Sequence, residues 1–456
     1  MRFHRATGMR AFWLTWVGLL LTFTGSGLTR FGLSVWVFQE TRDPQSFSTL
    51  LFFATVPMAV GAVFAGPFVD RWNRRSVLLI SNIVASIPTL LVMLLFLADR
   101  LELWHLYSSL FVNGLANAFI LPAFDASIRQ LVPVERLGQA SGLAQMIQSL
   151  GVVIAPPIAG FVLVQFGLGA IFFMDFATFA LAALLLLFVY IPPVIRELVT
   201  EKTSVWQDFI FGLRYMLERP PFLFLMTFLT LVISASAFVY ALSGPLVLGF
   251  SDESSLGIVY AAYGFGGFLG AVAVSITGGS KRRMHGMLGG AMLLGISSML
   301  IALRPDTLLI SLSLLVYGAS MTSLIALNRT IYQEKAAPEV LGRIFAFRIV
   351  VGVGAQALGL LVAGWLAATI FEPGMMAGGA LSEMWGGFFG NLLGSGEGRG
   401  AALLTGLIGA GIFVFAVLCS LFPGLRLLED KLPTYGQRTA PSDVIPTGRT
   451  ADAVGD

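Results

Sequence analysis

Apolar residues recur along the chain in long runs, which short polar segments separate. Each run holds at least about 18 residues, enough to cross a hydrocarbon core about 30 Å thick as an α-helix. Lipid offers backbone polar groups no partners, so runs of this kind are helical. Twelve such runs are present, at 11–38, 47–69, 76–98, 103–122, 141–166, 168–190, 221–243, 254–278, 286–304, 306–327, 344–370 and 401–422. The pattern predicts an all-α membrane protein with twelve transmembrane helices.

Composition agrees with this pattern and excludes several kinds of protein. Hydrophobic residues make up 56% of the 456 residues, and the mean hydropathy is +0.84, more apolar surface than a soluble fold hides. The first run is too long for the apolar core of a signal peptide, so we expect it to be retained as a helix. Cys419 is the single cysteine and the three histidines are dispersed, so we expect no disulfide within the chain, no metal site and no cofactor.

Positive charge is concentrated on one side of the predicted membrane. Of the 28 Lys and Arg residues, 23 fall in the two tails and in the connections on the side of the N-terminus. Four fall on the opposite side, and Arg30 lies inside a span. The positive-inside rule therefore predicts that both termini are cytoplasmic, in a multi-pass protein of the cell membrane. The net charge of +3 follows from this bias, and we expect no nucleic-acid partner.

A polar segment divides the twelve runs into six and six. It spans 191–220, and the spacing of its apolar residues predicts a short interfacial helix. ERLG at 135–138, after the fourth run, is similar to EVLG at 339–342, after the tenth, and the same offset relates Gly160 to Gly364. Repeats of six helices around a cavity are a transporter architecture. The predicted units are the domain 1–190, the linker 191–220, the domain 221–423 and a largely disordered cytoplasmic tail, 424–456.

Charged residues cluster in the connection between the second and third runs, where segment 66–75 reads GPFVDRWNRR. This segment resembles the loop 2–3 signature of the major facilitator superfamily, Gly-x-x-x-Asp-Arg-x-Gly-Arg-Arg/Lys. Asn73 stands where the family usually has its second glycine, and Asn tolerates a left-handed turn better than most residues. The resemblance implies two six-helix bundles that transport a solute by alternating access.

The same resemblance implies a conformational latch that ties the two halves together in one state. Its residues are Gly66, Asp70, Arg71, Arg74 and Arg75. Asp70 would accept from free N–H groups at the start of the eleventh helix, where negative charge is stabilised. Arg74 would reach Asp125 at the end of the fourth helix. The alternative is that this cluster only fixes the topology.

A second motif, GVVIAPPIAG at 151–160, lies in the fifth run. It resembles the antiporter signature Gly-x-x-x-Gly-Pro-x-x-Gly-Gly, with alanines in place of two glycines. The residues that carry the resemblance are Gly151, Pro156, Pro157 and Gly160. In the family this motif goes with export, whereas the alternative is an ordinary proline kink. Over most of its length the chain is similar to the subgroup that contains the enterobactin exporter and macrolide-efflux-type permeases.

Two ionisable residues lie within spans of the first half, Arg30 and Asp175, at about the same depth. Each is costly in lipid unless it is paired, so we hypothesise an Arg30–Asp175 ion pair. One interpretation is a fixed structural pair. The other is that Asp175 takes up and releases a proton during the cycle, with Asp125 as the second candidate.

Uncharged polar residues in the spans are candidates for the wall of a substrate cavity. They are Asn113, Asn117, Tyr240, Tyr317 and Gln356, and the alternative for each is hydrogen bonding between helices. The chain contains 38 Phe and 8 Trp, so we expect an apolar, aromatic cavity suited to amphipathic solutes. The outer segment 372–400 is rich in glycine; it is interpreted as a mobile loop with one interfacial turn, or as a gate.

Together these features predict a secondary transporter that exports amphipathic or lipophilic small molecules by proton antiport, acting as a monomer. The alternatives are an importer or lysophospholipid carrier of the same fold, a membrane enzyme, and a transport-inactive receptor. Against an enzyme, the spans hold no cluster of His, Cys, Asp and Glu. Against direct use of ATP, no phosphate-binding Gly-x-x-x-x-Gly-Lys-Ser/Thr motif is present.

Overall fold

The computed structural model describes residues 6–192, 205–277, 280, 282–336 and 338–422. These residues form helices and one isolated bridge, between Ala6 and Val189, as the hydrophobic pattern predicts. The predicted disordered tail, 424–456, and much of the linker, 193–204, lie outside the described residues.

The helices follow the apolar runs closely. They are α1 (Gly8–Thr41), α2 (Pro44–Arg71), α3 (Arg74–Leu97), α4 (Leu103–Leu131), α5 (Leu137–Leu187), α6 (Val205–Leu217), α7 (Pro220–Leu248), α8 (Glu253–Thr277), α9 (Arg283–Leu303), α10 (Thr307–Lys335), α11 (Pro338–Leu366), α12 (Glu372–Met375), α13 (Met384–Leu393) and α14 (Arg399–Leu421). Among the described residues, ten helices are long and apolar enough to cross a membrane. These ten do not include α2, and they count α5 once although it contains two spans. Adding α2 and the second span of α5 gives twelve membrane spans.

The long helix α5 contains two spans that meet at Gly167. The backbone there has φ 75° and ψ 178°, a conformation that glycine adopts without strain. Along α1 from Phe23 to Gly27, the neighbours in α5 ascend from Gly151 to Ala155. From Gly18 through Gly25 to Gly32, by contrast, the neighbours descend from Ala182 through Asp175 to Ile171. The two spans of α5 therefore run in opposite directions, and the predicted boundary between the fifth and sixth spans is confirmed.

We call the side of the membrane on which α1 begins the terminal side, and the other the far side. Helices α1 to α5 pack against one another as one bundle, and α7 to α11 pack with α14 as the second. The bundles meet where α5 packs along α8 and where α2 packs along α11. Outward faces of the helices carry large exposed apolar side chains such as Phe166, Ile276 and Leu308, as expected where lipid is the solvent.

The predicted helix of the linker is present as α6, and it lies against the second bundle. Phe209 packs edge-to-face on Phe347 of α11, with ring centroids 5.0 Å apart. Gly212 lies so close to the same ring that a methyl group there would contact its Cβ at 2.5 Å. The Arg343 guanidinium stacks on Phe211, 5.0 Å from the ring centre. The linker helix is thus held by α11.

Helix α2 begins with a well-formed cap. Asp43 accepts hydrogen bonds from the backbone N–H groups of Gln45 (3.0 Å) and Ser46 (2.9 Å), which have no partner within the helix. We expect Asp43→Ala to destabilise the fold by about 1 kcal/mol and to lower Tm by about 2 °C. A thermal shift measurement on the purified protein checks this. Asp43→Asn, which preserves the cap, should melt with the wild type, and equal melting of the alanine variant would contradict the prediction.

Candidate functional site

A cavity of about 160 Å³ lies between the two bundles. Five helices form its wall: α1, α2 and α5 from the first bundle, and α7 and α8 from the second. The lining residues are Phe23, Gly27, Arg30, Phe31, Ser34, Val35, Phe47, Leu51, Met58, Gly151, Val152, Ala155, Pro156, Tyr240, Leu256, Tyr260 and Tyr263. A solute in this cavity therefore touches both halves of the protein.

Aromatic rings dominate one wall of the cavity. Tyr260 contacts Phe31 edge-on across the two bundles (6.2 Å between ring centroids) and stacks at a tilt on Tyr240 (5.1 Å). Its hydroxyl donates to the Tyr240 carbonyl oxygen (3.2 Å). Tyr263 lies 5.8 Å from Tyr240 on the same wall. Such a surface accommodates flat or apolar solutes and offers phenolic hydroxyls for hydrogen bonding.

Arg30 is the one charged residue among the described residues that line the cavity. It is half-buried, and it lies about two thirds of the way along α1. Its carbonyl oxygen accepts from the Ser34 hydroxyl one turn later (2.8 Å). An unpaired arginine at the centre of a membrane helix costs roughly 3 kcal/mol on insertion scales, so its position in a cavity is informative.

Asp175 is fully buried in the first bundle, where α1, α3 and the second span of α5 meet. One carboxylate oxygen, Oδ2, accepts hydrogen bonds from the hydroxyls of Thr29 (2.6 Å) and Thr89 (3.2 Å). The other, Oδ1, is buried and has no hydrogen-bond partner in the structure. A methyl group on Gly25 would lie 2.7 Å from Oδ1, so glycine is required for α1 to approach this carboxyl group.

The hypothesised Arg30–Asp175 ion pair is wrong for this structure. The ion pairs of the described residues do not include it, and Asp175 is bound by threonines instead. Successive residues of an α-helix point about 100° apart, because 3.6 residues make a turn. Thr29 faces α5 and Asp175, so the next residue, Arg30, is turned toward the cavity. Equal depth along the helices, which motivated the pairing, does not determine which face a side chain occupies.

The polar residues predicted to line the cavity are only partly brought together. Tyr240 lines it. Asn113 donates to the Ala85 carbonyl oxygen on α3 (3.2 Å), and Asn117 donates to the Asn113 side-chain oxygen (2.6 Å), so both act within the first bundle. Tyr317 is buried in the second bundle, 6.3 Å from the ring of Tyr263.

Gln356 is half-buried on α11 and is likewise not part of this wall. The described residues that line this cavity come from α1, α2, α5, α7 and α8, whereas Asn113 and Asn117 lie on α4, Tyr317 on α10 and Gln356 on α11. Of the five predicted residues, Tyr240 is therefore the one found among the described lining residues.

Sequence reasoning missed Phe31, Ser34 and Tyr260. A signal was present, because Gly27, Arg30, Phe31 and Ser34 recur at helical spacing on one face of α1. The charge of Arg30 identifies this face of α1. Residues on the same face within one turn before and after Arg30 form most of the cavity wall that α1 contributes.

The motif at 151–160 lies at the contact between the bundles. Gly151 and Pro156 line the cavity. Toward the far side, a methyl group on Gly160 would lie 2.7 Å from the carbonyl oxygen of Glu253 and 3.1 Å from the Cα of Ser254, at the start of α8. Gly257 approaches the Pro156 carbonyl oxygen just as closely. The small residues of this motif therefore allow α5 and α8 to pack backbone against backbone.

An equivalent contact joins α11 to α2. A methyl group on Gly364 would lie 2.6 Å from the Cβ of Ser48 and 2.9 Å from the Cα of Gln45. The 204-residue offset in the sequence relates Gly364 to Gly160, and both glycines seal a bundle–bundle contact near the far side. The repeat inferred from the sequence thus has a structural counterpart.

Polar contacts complete the seal on the far side. Gln39 at the end of α1 donates to the Glu253 carboxylate, and Arg42 forms an exposed ion pair with Glu397 (3.4 Å). Both contacts connect the first bundle to the second. The cavity is thus closed toward the far side by the two glycine contacts and by these polar pairs.

The basic cluster before α3 acts within the first bundle in the described part of the chain. Asn73 caps α3 by accepting from the Arg75 backbone N–H (3.0 Å). Arg74 donates to the Ala126 carbonyl oxygen on α4 (2.6 Å), next to the exposed Asp125. Arg75 donates to the carbonyl oxygens of Leu186 and Leu187 at the end of α5 (both 3.1 Å).

The remaining members of the predicted latch are described only in their backbone. Gly66, Asp70 and Arg71 belong to α2, and the interactions of Asp70 and Arg71 lie outside what the structure describes. In the second bundle, Arg283 at the start of α9 is paired with Glu334 of α10, the counterpart of the Arg74 contact with α4.

In the part of the chain that the structure describes, no group of three or more His, Cys, Asp and Glu residues could hold a metal ion. The cavity wall offers one guanidinium, one serine and three tyrosines as polar groups.

The sequence matches the model of one family, the Major Facilitator Superfamily, over residues 15–360. The chain belongs to that superfamily. The resemblance seen in segment 66–75 and the twelve-helix fold are both confirmed, and the protein is a membrane-embedded transporter of a small molecule.

Relatives and solved structures agree. Macrolide efflux protein A of Streptococcus pyogenes is 21% identical over 77% of this chain and 88% of that protein. The multidrug efflux pump Tap of Mycolicibacterium fortuitum is 24% identical over 75% and 86%. A bacterial homologue of the human lysosomal transporter Spinster, in an inward-facing, unoccupied conformation, has a TM-score of 0.66 at 17% identity, over 92% of this chain and 98% of that one. The nucleoside transporter NupG has a TM-score of 0.67 at 13% identity, over 90% and 99%.

Proposed function

We propose that this protein exports amphipathic or lipophilic small molecules by alternating access, in antiport with protons. The observation that carries the proposal is the aromatic cavity between two bundles that are sealed on the far side. The names of the relatives, macrolide and multidrug efflux proteins, support export of such solutes. The resemblance of segment 151–160 to the antiporter signature supports it as well.

Direction follows from the predicted topology. With both termini in the cytoplasm, the terminal side is cytoplasmic and the sealed far side is external. The cavity in this conformation would then receive a solute from the cell. Closure of α4 and α5 against α10 and α11, with Asp70 at the start of α11, would complete the latch when the external side opens. With the predicted domain boundaries at 190 and 221, the linker helix α6 would lie on the cytoplasmic face in this topology.

Asp175 is the proton carrier in this proposal. It is shielded from water, and among the described residues its carboxyl group meets two threonine hydroxyls and no cation. When Asp175 loses its proton, it becomes a buried negative charge with no cation beside it among the described residues, and this state is costly. A conformation in which the charged carboxylate is better solvated is then favoured. The carboxyl group touches α1, whose next residue lines the cavity, so a shift of α1 connects the two events.

Other functions of the same fold remain as competing hypotheses. A lysophospholipid or nutrient carrier would use the same cavity in the opposite direction, and a transport-inactive receptor would bind a solute without moving it. The aromatic wall favours lipophilic solutes over polar nutrients.

The test is accumulation of lipophilic dyes in efflux-deficient bacteria that express the protein, with and without a protonophore. Lower accumulation than in vector controls, restored by the protonophore, is the expected result. Higher accumulation would indicate uptake, and unchanged accumulation over a broad panel would contradict the export of lipophilic compounds. Lower accumulation that the protonophore does not restore would contradict proton coupling alone.

A further inference from the structure

Arg30 lines the cavity between the bundles, and it has no counter-charge among the residues that the structure describes. None of the described residues that line the cavity with it is acidic. The buried carboxylate on the neighbouring helix face, Asp175, is bound by Thr29 and Thr89 instead. No described residue forms an ion pair with Arg30. The cavity therefore carries one positive charge that none of the described lining residues compensates.

The groups around Arg30 are suited to an anion rather than to a cation. Tyr240 and Tyr263 are on the same wall, and no described residue forms a hydrogen bond with either hydroxyl, so both are free to donate. The described lining residues include no carboxylate that would neutralise an ammonium group. A basic solute would meet a like charge in surroundings of low dielectric constant, where repulsion is strong.

The rest of the wall requires an apolar body. Phe31, Tyr260 and Met58 surround the charged group with aromatic and apolar surface. A small inorganic anion would satisfy Arg30 and leave this surface in contact with water. An amphipathic anion satisfies both, because its acidic group pairs with the guanidinium and its apolar part covers the rings.

Resting on the proposed function, we propose that the substrates are amphipathic anions whose acidic group is bound by Arg30. A carboxylate, sulfonate or phosphate fits, since each presents two oxygens to the planar guanidinium fork. Tyr240 and Tyr263 donate to the remaining oxygens. The charge preference is thus opposite to that of a pump for basic lipophilic drugs.

The test uses two dyes with the same ring system, 1-anilinonaphthalene-8-sulfonate and its neutral parent N-phenyl-1-naphthylamine. Binding of each to the full chain in phosphatidylcholine nanodiscs is followed by fluorescence. We expect Arg30→Gln to weaken binding of the sulfonate about tenfold or more and to change binding of the neutral dye by less than about twofold. Arg30→Lys keeps the positive charge but lacks the planar guanidinium fork. Its affinity for the sulfonate should therefore lie between those of the wild type and of Arg30→Gln. Arg304→Gln removes an exposed charge on the far side and should bind both dyes as the wild type does.

Equal losses for both dyes in Arg30→Gln, or no loss for either, would overturn the proposal. The proposal would also be overturned if neither the wild type nor Arg30→Gln binds the sulfonate and both move the neutral dye uphill equally well. In that case the exporter function would still stand. Failure to bind or move either dye would overturn both. The bound anion could be a free solute or the headgroup of an anionic lipid, and adding phosphatidylglycerol to the nanodiscs separates these two sources. If phosphatidylglycerol weakens sulfonate binding to the wild type and not to Arg30→Gln, a lipid headgroup competes for this site.

Discussion

Asp175→Asn is expected to abolish uphill transport while substrate exchange continues. Asparagine has nearly the same shape, and its oxygen still accepts from Thr29 and Thr89, but it does not take up or release a proton. For one proton per cycle, a pH difference of one unit across the membrane provides about 1.4 kcal/mol, or about tenfold accumulation. Proteoliposomes with an imposed pH gradient measure this. The wild type should concentrate the substrate about tenfold, and the variant should stop at equal concentrations.

The matched control for this variant is Asp125→Asn. Asp125 was the second candidate for proton coupling, and the structure shows its side chain exposed at the end of α4. Asp125 is at an exposed position whereas Asp175 is fully buried, so the charge of Asp125 is less tightly tied to the packing of the helices and uphill transport should persist. Full substrate accumulation by Asp175→Asn would show that Asp175 is not required for proton coupling. Loss of accumulation in Asp125→Asn would assign that role to Asp125 instead.

Gly160→Ala is expected to open the far side and to slow transport about tenfold. The new methyl group would meet backbone atoms of Glu253 and Ser254 at 2.7 Å and 3.1 Å, and backbone has no rotamer with which to move away. Overpacking of this kind costs about 1–3 kcal/mol, which shifts a two-state equilibrium about tenfold for every 1.4 kcal/mol. The seal between α5 and α8 would therefore be the less populated arrangement.

The readout for this prediction is a buried reporter at the other bundle contact. Ser48 is fully buried against Gly364, so Ser48→Cys in a Cys419→Ser background should react with a membrane-impermeant maleimide only when the far side opens. Labelling should be about tenfold faster in Gly160→Ala. Gly289→Ala is the control, because a methyl group there meets nothing within 4 Å, and it shares the gain in helix propensity. Identical labelling in the two glycine variants would show that Gly160 is not part of the seal.

The fold could be predicted from the sequence because the hydrophobic pattern is strong and lipid permits few alternatives. Even the boundary between the fifth and sixth spans was placed at Gly167, where the structure has its break. The repeat relation between Gly160 and Gly364 was also visible, although its meaning as paired contacts was not. These features depend on local composition and spacing, which a single sequence records.

The candidate site could be predicted only in part, because it depends on which way each side chain faces. Arg30 and Asp175 were found as costly charges, but their depth alone suggested a pair that the geometry separates. Tyr240 lines the cavity between the bundles, whereas Asn117 forms hydrogen bonds and Tyr317 packs within its own bundle. Rotation of a helix about its axis is set by packing against several partners at once, and uniformly apolar spans carry little information about it.

Connections on the far side are short, with one exception. The links between α1 and α2, α3 and α4, α7 and α8, and α9 and α10 have two to five residues, and Gly167 alone joins the two spans of α5. Residues 376–398, which carry α13 and Glu397, form nearly all of the polypeptide available outside the membrane there. If the far side is external, as proposed, an antibody or nanobody raised against intact cells would recognise this segment. Glu397 pairs with Arg42 across the two bundles, and separation of the bundles would break this pair, so such a reagent could distinguish one conformation from the other.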